Sequence, residues 1–526
     1  MKSPLQRLCA LVVLLCWLAS LSPASAYDAR PKLIVVIVID QFRGDYPERY
    51  RQRFVENGFR LFLDHGAAFV NCDFEYANTQ TAPGHATLFT GAYSDGHGIG
   101  GNSWWDPERQ KTVTSVSDAS TKIIGASGDG ASPHNLLADT IGDELKLATG
   151  GRSRVFAISL KDRAAILPGG FAADGAYWID HDTGAWITSS YYMNELPGWV
   201  QRLNQEKAAD KYWNREWKDA SGKVLRSTTQ SSKGWYEVIG STPFANDYEF
   251  DFAREVIEKE KLGTGPNTDL LAISLSANDI LGHQVGPDAP EMQAMALALD
   301  REIADFVGFL GRQIGLANVW IALTADHGMA PLPAYAEKLR LPAANFDAHT
   351  TRAEINKEFS ARFGAGEYIT EIDWPRLFLS EPAFAKANLK ESDAELAVAG
   401  ALKKDPHVAG AYTRSQMEAA ALPQTAMGRK YAHSYSPYGG WYVLAVPQRF
   451  AIGWPKGGDH GTPYSYDTHV PLYFYGRAFR PGIYRTHCEP VDMAATLASL
   501  LGVNAPSASV GRVLTEALAA GKEGAP

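Results

Sequence analysis

The chain has 526 residues, 45% hydrophobic and 21% charged, with 48 glycines and 29 prolines and no bias of the kind that marks disordered, collagenous or coiled-coil proteins. That length suits one large α/β domain carrying insertions or several smaller domains, and either could bury a substantial core. A formal net charge of −9 argues against a partner gripped through its phosphate backbone, so no nucleic-acid binding is expected.

The N-terminus reads as a signal peptide, with Lys2 and Arg7 as its basic start, Leu8 to Leu21 as its apolar run and Ala24-Ser25-Ala26 as a small-residue cleavage site. The run is shorter than the roughly 20 residues a spanning helix needs, so cleavage near Ala26 rather than anchoring is expected. A periplasmic or secreted protein without stable membrane insertion follows. Cleavage removes Cys9 and Cys16 and leaves Cys72 and Cys488. In an oxidising compartment these two leave both a disulfide and two separately buried thiols open.

Five short apolar runs lack polar alternation, as strands buried on both faces do: Leu33 to Ile39, Val155 to Leu160, Leu270 to Leu275, Val319 to Leu323 and Pro471 to Tyr475. Helical stretches are predicted between them at Leu137 to Ala148, Asp251 to Lys261 and Glu291 to Ile314. The predicted architecture is a doubly wound, mostly parallel α/β sheet flanked by helices. Ligands of such sheets gather beyond the carboxyl ends of the strands, so the residues that follow each run matter most.

Those residues are polar. Asp40 ends the first run, Lys161-Asp162-Arg163 follows the second, Asp279 and His283 follow the third, and Asp326-His327 follows the fourth. His460 and His469 precede the fifth. One such Asp is ordinarily a turn former or cap, and one His a satisfied structural residue. Recurrence at four strand ends points further. Asp279 and His283 stand four residues apart, on one helical face, and with another His they make a three-ligand metal set. Asp40, Asp326 and His327 make a second. Carboxylate with imidazole suits zinc, and the same donors admit manganese, cobalt or magnesium.

Residues 78 to 102 form a loop that opens a short helix near Pro83 and then turns glycine-rich, with Thr81 at the junction. A helix N-terminus offers free N–H groups and positive potential to a phosphoryl group, and a nearby metal can activate a hydroxyl. By itself Thr81 reads first as an N-cap of that helix.

Seven blocks taken together are specific: VIDQ (38–41), TAPGHATLFTG (81–91), HGIGGN (97–102), KDR (161–163), DILGH (279–283), TADHGM (324–329) and HGTPYSYDTHVP (460–471). In this order they resemble the alkaline phosphatase superfamily, and within it the monomeric, exported PafA/PhoK-type alkaline phosphatases. The resemblance implies a phosphate monoesterase, acting as a monomer, with two zinc ions. Thr81 would be the nucleophile and a zinc ligand, passing through a phosphothreonine. Asp40, Asp326 and His327 would complete one site, and Asp279, His283 and His460 the other, with His469 structural. Asn102, Lys161 and Arg163 would face the phosphoryl oxygens. The resemblance says nothing of a structural ion such as calcium.

Related phosphodiesterases and nucleotide pyrophosphatases share the metals and the threonine, so the metal ligands alone leave the substrate open. Two cations at Lys161 and Arg163 favour a monoester dianion over a diester, which lacks one charged oxygen. No sulfatase C/S-x-P-x-R motif surrounds Thr81. A non-catalytic metal-binding protein on the same fold would lack the nucleophile or a ligand, and every such position is filled. Insertions are predicted at about 168–247, rich in aromatics, and 331–442. Packing at a lid interface is the expected use of those aromatics.

Overall fold

The first apolar run forms the strand Leu33–Ile39, all seven residues buried. A run apolar on both sides can be satisfied only between neighbours and between layers, and here it sits inside a ten-stranded sheet. The computed structural model describes residues 30–453 and 457–519, so the signal-peptide reading lies outside the described residues. The centre of the sheet is parallel: Val319–Thr324, Leu33–Ile39, Asp269–Leu275, Val155–Ser159 and Gly175–Ile179 lie side by side.

Register sets where the chain leaves this sheet. Ile39 pairs with Leu275 and Val38 with Thr324, so three adjacent strands end at one level. Ser159 pairs with Ser274, which brings a fourth strand to the same edge. The flanks differ from the mostly parallel expectation. His469–Tyr475 runs antiparallel to Val319–Thr324 and to Ala67–Asp73, and Trp186–Ser189 runs antiparallel to Gly175–Ile179. An apolar run reports burial on two faces, which an interior antiparallel strand shares, so composition did not separate the two.

Helix boundaries moved for local reasons. The stretch predicted from Leu137 begins only at Ile141, because Thr140 and Asp143 form a capping box in which the Thr140 hydroxyl accepts the Asp143 N–H at 3.1 Å. The helix predicted from Asp251 starts earlier, at Pro243 in its first turn, and runs to Lys259. It packs on Pro290–Gln313, with Phe250 and Phe306 ring to ring at 4.9 Å.

Within 331–442 and just beyond it lies a separate antiparallel sheet of four strands, in the order Ile369–Asp373, Arg376–Leu379, Tyr442–Pro447, Val408–Thr413. Its own core includes Phe359, Phe384 and Val398. In the 168–247 stretch Trp178, Trp186, Trp217 and Trp235 are buried, and Trp186 stacks on Phe252 at 3.8 Å. Their main work is packing. Cys72 and Cys488, both buried and both free, are bridge partners, with the Cys488 N–H donating to the Asn71 carbonyl at 3.1 Å.

One close approach ties the fold to the site. The helix Thr81–Thr90 lies against the turn after Val319–Thr324, and a Cβ at Gly84 would meet the Asp326 carbonyl oxygen at 2.4 Å and the Asp326 Cβ at 2.7 Å. Gly84→Ala is therefore expected to destabilise the protein by about 1–3 kcal/mol through overpacking, although alanine is the better helix former by about 1 kcal/mol. Urea unfolding checks this; a gain in stability would show that the helix is not pressed against Asp326.

Candidate active site

The common strand edge gathers the polar residues predicted from the sequence. Asp40 follows its strand directly, Asp326 and His327 follow Thr324, and Asp279 and His283 lie one turn apart on the helix Ala277–Val285. His460 arrives from a loop and points into the same place.

Two donor sets result. In each, one ligand atom per residue lies within 4.8 Å of the others: Asp40 with Asp326 and His327, and Asp279 with His283 and His460. The three imidazoles are oriented alike. Nδ1 of His327 donates to the Gly328 carbonyl at 2.9 Å, that of His283 to Gly458 at 2.8 Å, and that of His460 to Thr79 at 2.7 Å. A carbonyl can only accept, so each Nε2 of a neutral ring keeps a lone pair directed into the site, the arrangement seen in metal-binding histidines. The sets adjoin, since the His327 and His460 rings stack at 3.8 Å.

The first set leaves Asp40 Oδ1, Asp326 Oδ2 and His327 Nε2 buried with no hydrogen-bond partner among the described residues. Buried polar atoms are costly unless satisfied. Three orphans of acceptor character, converging on one point, fit a cation. Lys161 lies between the sets. Its side chain is 3% exposed, and Nζ donates to Asp40 Oδ2 at 2.5 Å and to Asp279 Oδ2 at 2.6 Å.

Charge explains the titration directions. Burial first, and then the charges of Asp279 and Asp326, push the Asp40 carboxyl well above the usual carboxylate range. Burial acts the same way on Asp279, but Lys161 and then His283 outweigh it and hold that carboxyl well below its usual range. Desolvation lowers His283, yet the Asp279 charge prevails and raises it to about 9. Burial, helped by the charges of His327 and His283, takes His460 well below its ordinary value.

Thr81 is the first residue of its helix, Gln80 being the extended cap, and it is 1% exposed. The Ala82 N–H donates to Asn102 Oδ1 at 2.9 Å, and the Asn102 N–H to Gln80 Oε1 at 2.8 Å. Asn102 is thereby clamped at the helix N-terminus, its amide NH₂ making no hydrogen bond among the described residues. Arg163 is the second residue of the helix Asp162–Gly169; its Nε is buried with no hydrogen-bond partner among the described residues, and its side chain is a quarter exposed. His469 joins neither set: its Nε2 donates to the Val70 carbonyl at 3.1 Å.

Sequence reading missed the residues that hold these groups. Gln41 sits in the left-handed region at φ 63°; its N–H donates to Asp326 Oδ1 at 3.0 Å and its Nε2 to Asp279 Oδ1 at 2.6 Å, so one residue orients a carboxylate in each set. His85 donates from Nδ1 to the Thr81 carbonyl at 2.8 Å and accepts the Ser274 hydroxyl at 2.7 Å, with Asp326 Oδ2 at 3.3 Å. The available signals were position alone: Gln41 next to Asp40, and His85 one turn after Thr81.

A family model described as type I phosphodiesterase / nucleotide pyrophosphatase matches residues 34–416. A Myroides odoratus protein named a calcium-transporting ATPase is 34% identical over 94% of this chain and 96% of its own length. Alkaline phosphatase PhoV of Synechococcus elongatus is 33% identical over 93% of each chain. The crystal structure of wild-type alkaline phosphatase PafA aligns with a TM-score of 0.84 at 32% identity, covering 93% of this chain and 99% of that one. No helix among the described residues is long and apolar enough to cross a membrane. Fold, strand-end chemistry and similarity along nearly the whole chain agree: the protein belongs to the type I phosphodiesterase / nucleotide pyrophosphatase family of the alkaline phosphatase superfamily, among the alkaline phosphatases of the PafA type.

Proposed function

We propose that the protein is an exported phosphate monoesterase that transfers the phosphoryl group of its substrate to Thr81 at a two-zinc site. The observation that carries this reading is the pair of adjoining donor sets beside the N-terminus of the Thr81–Thr90 helix. Asp40, Asp326 and His327, with the Thr81 hydroxyl, would hold one zinc, and Asp279, His283 and His460 the other; the orphaned acceptors of the first set fit such an ion. When bound, the two ions supply Lewis acidity that favours the alkoxide of the nucleophile and the hydroxide of the attacking water.

The chain's own residues do the rest. Thr81 Oγ, deprotonated, attacks phosphorus in line, and the ester P–O bond breaks as its electron pair leaves with the alcohol oxygen. Water then cleaves the phosphothreonine, releasing inorganic phosphate and restoring Thr81. Asn102 donates its amide N–H to a nonbridging oxygen, joined by the Thr81 backbone N–H. Arg163 donates to the remaining oxygens. So does Lys161, which needs its carboxylate partners engaged elsewhere before Nζ can turn to the substrate. A monoester dianion presents three charged oxygens to these donors and a diester only two, which supports the monoester reading over the phosphodiesterase named in the family description. Export rests on the N-terminal residues 1–26, and a monomer on the resemblance to PafA-type enzymes.

Thr81→Ala is expected to abolish turnover of an aryl phosphate while leaving the fold and most of the metal binding intact; full activity would refute the assignment. Lys161→Ala and Arg163→Ala should each lower kcat/KM for the monoester by roughly 10²–10³-fold, the cost of one lost oxyanion donor, and lower the matching diester far less. Equal losses would place these cations away from the third phosphoryl oxygen. Chelation should remove activity and zinc restore it, as read by reconstitution with zinc, manganese, cobalt and magnesium in parallel; activity that survives complete metal removal would overturn the two-metal reading.

A further inference from the structure

The separate four-stranded sheet reaches the site through one hairpin. Ile369–Asp373 and Arg376–Leu379 pair antiparallel with Asp373 opposite Arg376, which leaves Trp374 and Pro375 as the turn. That turn lies on the loop that carries His460: a Cβ at Gly461 would meet the Trp374 carbonyl oxygen at 3.6 Å and Pro375 Cδ at 3.7 Å. Asp373 faces the loop that carries Asn102, its Oδ2 3.4 Å from where a Cβ on Gly101 would stand. The sheet's own core holds the turn from behind, with the Trp374 ring stacked on Phe346 at 3.7 Å and the Ala445 N–H donating to the Pro375 carbonyl at 2.8 Å. One short turn thus touches two loops of the site.

Arg376, the first residue after the turn, is 3% exposed and forms no ion pair among the described residues. Its guanidinium lies over the Tyr442 ring at 4.8 Å, and Nη2 donates to the Gly100 carbonyl at 2.8 Å. Nε and Nη1 make no hydrogen bond among the described residues. A buried cation without a counter-charge is costly, and an apolar side chain could fill the same space, so packing alone does not account for an arginine here. Gly100 is matched to the contact: a Cβ there would meet Arg376 Nη1 at 2.7 Å and Ser436 Cβ at 2.6 Å. The Gly100 carbonyl also accepts from Asn78 Nδ2 at 2.6 Å, so it has two donors.

We propose that Arg376 is a positioning residue for phosphoryl transfer: by holding the Gly100 carbonyl, its guanidinium keeps the Asn102 amide at the N-terminus of the Thr81–Thr90 helix. Asn102 is preceded by Gly100 and Gly101, the residue type that restricts the backbone least. Its own bonds, from the Ala82 N–H to Oδ1 and from its N–H to Gln80 Oε1, fasten it to the corner at Gln80–Ala82. Asn78 belongs to that same loop. Arg376 comes from another sheet and ties the glycine pair to the body of the insertion. A charged donor makes the stronger hydrogen bond, and this one has no carboxylate among the described residues to draw it away from the carbonyl.

This inference rests on the reading that Asn102 meets a phosphoryl oxygen, and the experiment separates the two. In zinc-loaded protein Arg376→Met, which keeps an apolar stem in the same space, should lower kcat/KM for an aryl phosphate about ten- to a hundredfold at unchanged zinc content, the scale of loss from a small misplacement of a binding group. In an Asn102→Ala background the same substitution should cost less than about threefold, because the group it positions is gone. Losses that multiply across the two backgrounds, or no loss in the single variant, would overturn the role. Hydrogen exchange of the segment 98–104 gives a readout independent of turnover. It should quicken in Arg376→Met and return toward the wild-type rate in Arg376→Lys, which restores a charged donor, while the central strand Leu33–Ile39 keeps its protection in both. Unchanged exchange in 98–104 would contradict the hold, and lost protection in Leu33–Ile39 would show that Arg376 supports the fold as a whole instead. If Asn102→Ala alone leaves kcat/KM unchanged, the phosphoryl role of Asn102 falls, and the exchange result still decides whether Arg376 holds its loop.

Discussion

Three carboxylates, Asp40, Asp279 and Asp326, are buried within a few ångströms of one another at the ends of three flush parallel strands, and the site is organised around that concentration of negative charge. Ionised carboxylates out of water are expensive unless paired, and like charges in contact raise the cost further. The chain meets the problem with Lys161 from a fourth strand end, held on two of the three carboxylates, and with Gln41, which donates to the third and to Asp279. Even so, Asp40 Oδ1 and Asp326 Oδ2 make no hydrogen bond among the described residues. A site that strains its own charge balance in this way is built to receive cations, and the inward Nε2 atoms of three histidines complete the donors.

The surroundings of Thr81 follow from the same geometry. Gly84 lets the Thr81 helix touch Asp326, and His85 links the Thr81 carbonyl to Ser274 on a central strand, so the hydroxyl and the carboxylates are held by one rigid body rather than by a loop. Asn102 closes the helix N-terminus through a reciprocal pair of bonds with Ala82 and Gln80. Free N–H groups of the helix N-terminus and the clamped amide lie together there, which suits a group whose charge is spread over several oxygens.

Much of this was legible in the sequence because parallel strands advertise themselves. The run Leu33–Ile39 coincides with its strand, and the polar residues after it and its neighbours converge because a parallel sheet delivers all its carboxyl ends to one edge. The i, i+4 pair Asp279 and His283 lies on a helix, as its spacing required. What escaped was long-range. The strand Ala67–Asp73 has only a short apolar start before the exposed Asn71 and was passed over, and the direction of His469–Tyr475 depends on pairing that composition does not carry. Gln41 and His85 act through partners more than 180 residues away. The placement of Lys161 between the donor sets also needed coordinates, since the strand-end pattern showed only that a cation would be near.

The central claim is that the two donor sets around Thr81 are cation sites, with Lys161 between them. Anomalous diffraction at the zinc edge from crystals of the zinc-loaded protein tests it most directly. The account requires two peaks, one among Asp40, Asp326 and His327 and one among Asp279, His283 and His460, with Lys161 Nζ withdrawn from Asp40 and Asp279. Crystals grown in zinc that show no peak in either set, and Lys161 still paired with both carboxylates, would contradict it.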